Sequence, residues 1–430
     1  MQAENFEQAL NNFSNSELLF TPNSPLCQSK EFYVERDENP FGKLKALLRS
    51  STAFNKVLFT GHMGCGKSTE LNRLVADEDI SKRFFVVKYS IFEVLDILDI
   101  TYIDLLISIG AMVFKKAICK RLRIAPDLLN RLESWKKTIT ESISIDEGTA
   151  GAGVEARLDV FFLNLTTRLK MEQTTRQIVR KIIEPRVSEM IDIINRIIDG
   201  TRLSLPPDKD LLIIIDDLEK IPDIEKAKTL YHDTGLLLTK PNCKIIYTVP
   251  IALHYSVEFK QIAANFGITY FFPNIRLCHR NRDKDENGLK AMERFVTNRM
   301  KQSLIDDDAL AEAVLNSGGI VRELGRIMGN SCLIALSKGM NTITKGIVHE
   351  SVAEVRNEFG RMLTDTHYRC LDEIEKTKMV GGDKISIELL HSLSVLEYLN
   401  NERWCDVNPV VLKLLEQHRK SIYTQHGHKQ

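Results

Sequence analysis

Short apolar runs of strand character interrupt a chain whose remaining hydrophobic positions recur at helical spacing. Five runs predict strands: residues 57–59, 83–90 (RFFVVKYS), 211–215, 243–249 (CKIIYTV) and 269–275. Most are continuously apolar rather than alternating, as expected of strands covered on both faces. Helical patterns separate them, including one from Ser68 to about Ala76 and one over residues 257–266. Strands joined through helices predict an α/β fold, a three-layer sandwich around a five-stranded parallel sheet.

Between the second and third strands the helical spacing continues from residue 91 to 210, far longer than a simple connection. Within 175–199, Ile178, Val179, Ile182, Ile183, Val187, Met190, Ile191, Ile194, Ile197 and Ile198 form one apolar stripe, with Arg176, Arg180, Lys181, Glu184, Glu189 and Asp192 largely opposite. Pro185 should kink this stretch or start a new helix. A Gly- and Ala-rich hinge at 147–156 (EGTAGAGVEA) divides it from an earlier helical block at 102–138. So large an insertion is expected to serve as a protein-interaction arm or an oligomer contact.

Residues 1–30, rich in Asn and Ser, read as a loosely held arm or, with less claim, a partner-docking strap. A core holding all five strands then runs over 31–275, a helical lid over 276–360, and a C-terminal module over 361–430. In that module, helices at 363–376 and 386–399 precede a strand-like wing (ERWCDV) and a helix opened by Asn408 and Pro409. The succession predicts a winged helix.

Composition narrows the partners. Lys plus Arg and Asp plus Glu are 58 each among 430 residues, so no global charge excess points to nucleic acid or membrane surface. Basic residues of the C-terminal module sit among Glu388, Glu397, Glu402 and Asp406, which favours protein contact over DNA. The 8 cysteines are scattered without a C-x-x-C pair, a pattern suited to a reducing cytoplasm rather than to zinc or disulfides. No apolar run is long enough to span a bilayer.

The chemistry concentrates at residues 56–69, KVLFTGHMGCGKST. Gly61, Gly64, Gly66, Lys67 and Ser68 fit the phosphate-loop pattern G-x-x-x-x-G-K-[ST], with Cys65 and Thr69 inside the same stretch. Glycine lets backbone N–H groups close on phosphate oxygens, the following helix adds its positive end, and Lys67 brings a full charge to the β and γ phosphates. Ser68 offers an Mg²⁺ ligand. The third strand ends LLIIIDDLEK, so Asp216 and Asp217 emerge at the carboxyl edge of a buried strand. Asp216 is expected to hold Mg²⁺ through its water shell, and Asp217, or with less claim Glu219, to polarise an attacking water. Thr248, near the end of the fourth strand, is placed to reach the γ-phosphate or that water. Tyr33 and Val34, upstream of the loop, are placed to pack on adenine. Arg276, Arg280 and Arg282 are candidates for a finger acting on a neighbour's phosphate.

Taken with GGIVREL, which sets Arg322 in the first turn of a helix, these segments resemble the AAA+ and STAND branches of P-loop ATPases. The nearest shapes are the archaeal origin-recognition ATPases and bacterial signalling or defence ATPases; the resemblance covers about residues 31–90 and 211–430. It implies an ATP- and Mg²⁺-dependent switch with a helical lid and a winged helix, often assembling into oligomers. By the same resemblance, Thr248 takes the place of sensor 1, and Arg322 that of a sensor 2 arginine closing on the γ-phosphate. Two departures matter: 258–267 (EFKQIAANFG) has Lys260 but no finger arginine, and Asp217 stands where most AAA+ members use Glu. Slow turnover is therefore expected. The expected function is an ATP-binding, slowly hydrolysing switch signalling to an effector protein or through self-association; the alternative is an ATP-dependent DNA-binding initiator or regulator. A nucleotide kinase fits poorly, because no arginine-rich acceptor lid is evident.

Overall fold

The computed structural model describes residues 2–14, 30–36, 41–141, 153–399 and 402–427. Five strands form one parallel sheet: β1 (Lys56–Thr60), β2 (Phe84–Ser90), β3 (Asp210–Asp216), β4 (Lys244–Val249) and β5 (Gly267–Phe271), in the order β2-β3-β4-β1-β5. Alternate residues serve opposite faces. Leu58, Ile213, Ile215, Ile245 and Tyr247 join one apolar core, whereas Val57, Phe59, Leu212, Ile214 and Ile246 join another. Both faces are thus covered by helices, which is why these runs are apolar throughout. The five strands, the parallel sheet and the three layers match the expectation, although β5 ends at Phe271 rather than at residue 275.

The insertion corrects the arm reading. Helices Tyr102–Cys119, Val154–Met171, Gln173–Ile183 and Val187–Leu203 pack into the same core as β3 and β4. Val179, Ile183, Met190, Ile194, Ile197 and Ile198 are buried there, so most of the apolar stripe packs within the chain, with Ile178 left exposed. Arg176 and Arg180, on the same helix, pair with Asp96, Asp99 and Asp104. Pro185 lies in the 3-10 turn Glu184–Arg186 that divides the two helices, as its fixed φ and missing N–H require. The hinge falls mostly outside the described residues.

Beyond β5 a second body forms from helices Glu286–Thr297, Asp307–Asn316, Val321–Ser337 and Lys345–Gly360, then Asp365–Thr377 and Lys384–His391. A hairpin of β6 (Val395–Leu399) and β7 (Arg403–Val407), paired antiparallel, leads to the last helix, Pro409–Gly427. Residues 395–399, expected as the end of a helix, are a strand: Val395, Leu396 and Tyr398 are buried against the helices while β7 supplies backbone partners. One continuous core runs from Ile275 to Leu415 through all these elements.

The N-terminal segment is also corrected within residues 2–14. Phe6–Ser14 is a helix whose Phe6, Ala9 and Phe13 bury into this second core, with the Phe13 and Phe295 rings 6.3 Å apart. Burial of an aromatic face outweighs the polar composition that suggested a loose arm.

Candidate nucleotide site

The sheet register brings the candidate residues together. Thr60 is level with Val249, Ile215 with Tyr247 and Ser90 with Asp216, so the loop after β1, the acidic end of β3 and Thr248 share one carboxyl edge. Residues 61–66 join β1 to the helix Lys67–Ala76. Gly64 and Gly66 hold φ of 80° and 105°, the left-handed region that glycine enters freely.

Lys67 is buried, and its Nζ donates to Gly61 O at 3.0 Å and His62 O at 2.9 Å while lying 3.2 Å from Glu219 Oε1. Burial alone would depress this ammonium, but Glu219 foremost, with Cys65 and Asp216, holds it above its ordinary value. Ser68 Oγ donates to Asp216 Oδ1 at 3.2 Å, and Lys88 Nζ lies 2.9 Å from Asp216 Oδ2. Burial raises the Asp216 carboxyl, with Glu219 and Asp217 adding repulsion that Lys88 only partly offsets. Donor oxygens of Asp216, Asp217 and Glu219 lie within 4.8 Å of one another, the only such cluster among the described residues. Three oxygen donors crowded beside a hydroxyl fit a hard divalent cation such as Mg²⁺.

Other expected residues are placed differently. Asp217, at φ 70°, takes Ser90 Oγ as a donor and Lys220 Nζ at 2.8 Å, and these ties outweigh burial to hold its carboxyl below the ordinary range. Glu219 instead reaches Lys67, and its Oε2 has no hydrogen-bond partner, so of the two acids it is the one paired with the loop lysine. Thr248 is fully buried; its hydroxyl donates to Ile215 O at 3.3 Å and accepts from Leu218 N at 2.9 Å, clamping the turn that presents the acids. Tyr33 donates to Glu70 Oε1 at 2.7 Å with the Arg73 guanidinium 4.8 Å above its ring, and Val34 packs on the second core. Cys65 is buried with Sγ 3.7 Å from Phe272 O, and Thr69 is half-buried on the first helical turn.

Arg322 is brought onto the loop: its N–H donates to Gly64 O at 3.1 Å, and a Cβ on Gly64 would lie 2.7 Å from Arg322 Cβ. The loop arginines are committed elsewhere within the chain. Arg276 pairs with Asp285 at 2.7 Å and Arg282 with Glu375 at 2.6 Å, while Arg280 stands 3.8 Å from the exposed Glu402.

Two residues escaped the sequence reading. Arg36 donates to Pro273 O at 3.0 Å and to Cys65 O, with its guanidinium 4.5 Å over the Phe272 ring. A cleft of about 130 Å³ beside it is lined by Glu35, Arg36, Pro273, Asn274 and Ile275 among others. A cation two residues after the Tyr33-Val34 pair was the available signal. His62, inside the loop itself, carried none: it is fully buried, and its Nε2 accepts from Glu397 N of β6 at 2.7 Å.

No family model and no curated protein matches the chain. Among solved structures it is similar to the Aeropyrum pernix ORC2 protein in ADPNP-ADP complexes, with TM-score 0.39, 11% identity and coverage of 93% of this chain and 98% of that one. Cdc6p from Pyrobaculum aerophilum gives TM-score 0.36 and 13% identity over 94% and 98%. The Thermotoga maritima RuvB Holliday junction branch migration motor gives TM-score 0.36 and 12% identity over 89% and 95%. The overlaps are long and loose, and the site stands on its own geometry. Among the described residues, no helix is long and apolar enough to cross a membrane.

Proposed function

We propose that this chain binds ATP with Mg²⁺ and hydrolyses it slowly, as a switch whose nucleotide state passes through the lid to the C-terminal module and from there to a protein partner or a second copy. The observation that carries this reading is the meeting of Lys67, Ser68, Asp216 and Glu219 at one sheet edge with Arg322 seated on the loop. Backbone N–H groups of 61–69 cradle the phosphates, and Lys67 leaves its carbonyl partners for them. Ser68 and Asp216 would hold Mg²⁺, which when bound neutralises phosphate charge. Glu219 orients the attacking water, while Asp217 and Thr248 fix the turn that carries it. Arg322 meets the terminal phosphate, so its helix senses whether one is there. The purine lies toward the Arg36 cleft, next along the chain from Tyr33 and Val34.

In the C-terminal module two helices, the β6–β7 hairpin and a final helix follow the order of a winged helix. Its basic groups are largely paired internally, Lys378 with Asp406 and Arg419 with Asp372 and Glu375, which favours a protein partner over DNA. Calorimetric titration with MgATP tests the reading: the wild type should bind and Lys67→Ala should not. Retained affinity in that variant would overturn it. A duplex titration over salt addresses the DNA-binding alternative, since phosphate contacts weaken steeply as salt rises.

A further inference from the structure

The β6–β7 hairpin is docked on the nucleotide edge through Glu397. Besides donating its N–H to His62, Glu397 accepts at its carbonyl from Asn274 Nδ2 at 3.2 Å and at its carboxylate from Tyr255 Oη. It therefore touches three segments of the sheet edge: the phosphate loop, the stretch after β4 and the stretch after β5. Next to it, Tyr398 Oη donates to Gly318 O at 2.8 Å, at the turn before the Arg322 helix. The contact with the loop is direct, because His62 occupies the position after Gly61 in the glycine pattern.

The same histidine is tied to Lys67. Its carbonyl accepts from Lys67 Nζ while its ring accepts from the hairpin. Burial, with the Lys67 charge adding to it, lowers the imidazole pKa to about 3, so the ring is neutral and Nε2 is free to accept. The other nitrogen, Nδ1, is buried with no hydrogen-bond partner. A buried unmade bond of this kind makes the docked arrangement costly to hold. A triphosphate would draw Lys67 away from Gly61 O and His62 O and reshape the loop around its oxygens, just where the hairpin grips it.

We propose that His62 is a positioning residue through which docking of the β6–β7 hairpin competes with nucleotide for the conformation of the phosphate loop. This rests on the nucleotide reading above. Linkage makes the effect reciprocal: whatever nucleotide does to the hairpin, the hairpin does to nucleotide affinity.

The test uses the full chain, with MgATP affinity by calorimetry and amide hydrogen exchange across 395–407, with and without nucleotide. In the wild type, MgATP should speed exchange in the hairpin. His62→Ala should bind MgATP about 5- to 10-fold tighter, the lower part of the usual coupling range. Its hairpin should already exchange fast without nucleotide. His62→Gln, whose side-chain oxygen can accept from the Glu397 amide, should stay within about twofold of wild type. Tyr398→Phe, which does not touch the loop, should move affinity in the same direction as His62→Ala. Circular dichroism confirms that each variant folds. Unchanged affinity and exchange in His62→Ala and Tyr398→Phe would overturn the coupling alone. A loss of affinity confined to His62→Ala would make His62 a simple nucleotide contact and overturn it too. Absence of MgATP binding to the wild type would instead overturn the nucleotide reading, and the coupling with it.

Discussion

Glu219 and Asp217 divide the acidic work in a way that neighbouring sequence positions did not reveal. Asp217 turns to Ser90 and Lys220 because a left-handed φ swings it off the line of β3, whereas Glu219, in the 3-10 turn that follows, returns to Lys67. Glu219→Gln should slow single-turnover hydrolysis by about 100-fold, the loss expected of a general base, while Asp217→Asn costs under about 10-fold. Rapid-quench measurement at saturating MgATP checks this; the reverse order would restore Asp217 as the water-orienting acid. The glycines, Lys67, Ser68 and Asp216 were legible because each residue type has one chemical task at a fixed spacing. Arg36 and His62 were not, and Glu219 stood only second to Asp217. Their roles depend on a turn's dihedrals and on contacts hundreds of residues away in the chain, which local pattern does not encode.

Elements were legible where burial is complete and regular. β3 is apolar from Leu211 to Ile215 and lies inside the sheet between β2 and β4, so both its existence and its end at Asp216 followed from its residues. β6 was misread because Ser386 to Leu399 carries helical spacing, and only pairing with β7 decides for a strand. The N-terminal helix was missed because three buried residues, Phe6, Ala9 and Phe13, carry its packing amid polar neighbours. Phe13 is 3% exposed, so Phe13→Ala should destabilise the second body by about 3–5 kcal/mol, the range for emptying a buried phenylalanine site. Denaturant unfolding checks it, and a loss below about 1 kcal/mol would return this segment to a surface arm. The Gly318-Gly319 turn is a stricter joint. Gly319 has φ 75°, its O accepts from Ile275 N at 3.1 Å, and an added Cβ would lie 1.7 Å from Ile275 O. Gly319→Ala should therefore lower the melting temperature and weaken MgATP binding together, because the same turn sets Arg322 over Gly64. A variant that melts early yet binds normally would separate lid packing from the site.

Across the whole molecule, the loop after β5 and the C-terminal module are tied by charge as well as by the shared apolar core. Arg282 and Arg419 converge on Glu375, each at 2.6 Å, and Arg419 also lies 2.5 Å from Asp372. Burial raises the Glu375 carboxyl, yet Arg419 and Arg282 outweigh it and hold it below its ordinary 4.5. Lys376 foremost, with Arg419, holds Asp372 below 3.8. A carboxylate depressed in the folded state binds fewer protons there than when unfolded, so stability rises with pH through this window. The contribution is complete above the unfolded value and drains as pH falls from about 5 towards 3. Glu375→Gln removes the titrating group, so its melting temperature should fall less steeply across that window, while lying below wild type at neutral pH because Arg282 loses its charged partner and Arg419 one of its two. Differential scanning calorimetry of both proteins in steps from neutral pH to about pH 3 reads the two slopes. Equal slopes would assign the acid sensitivity to carboxylates elsewhere in the chain.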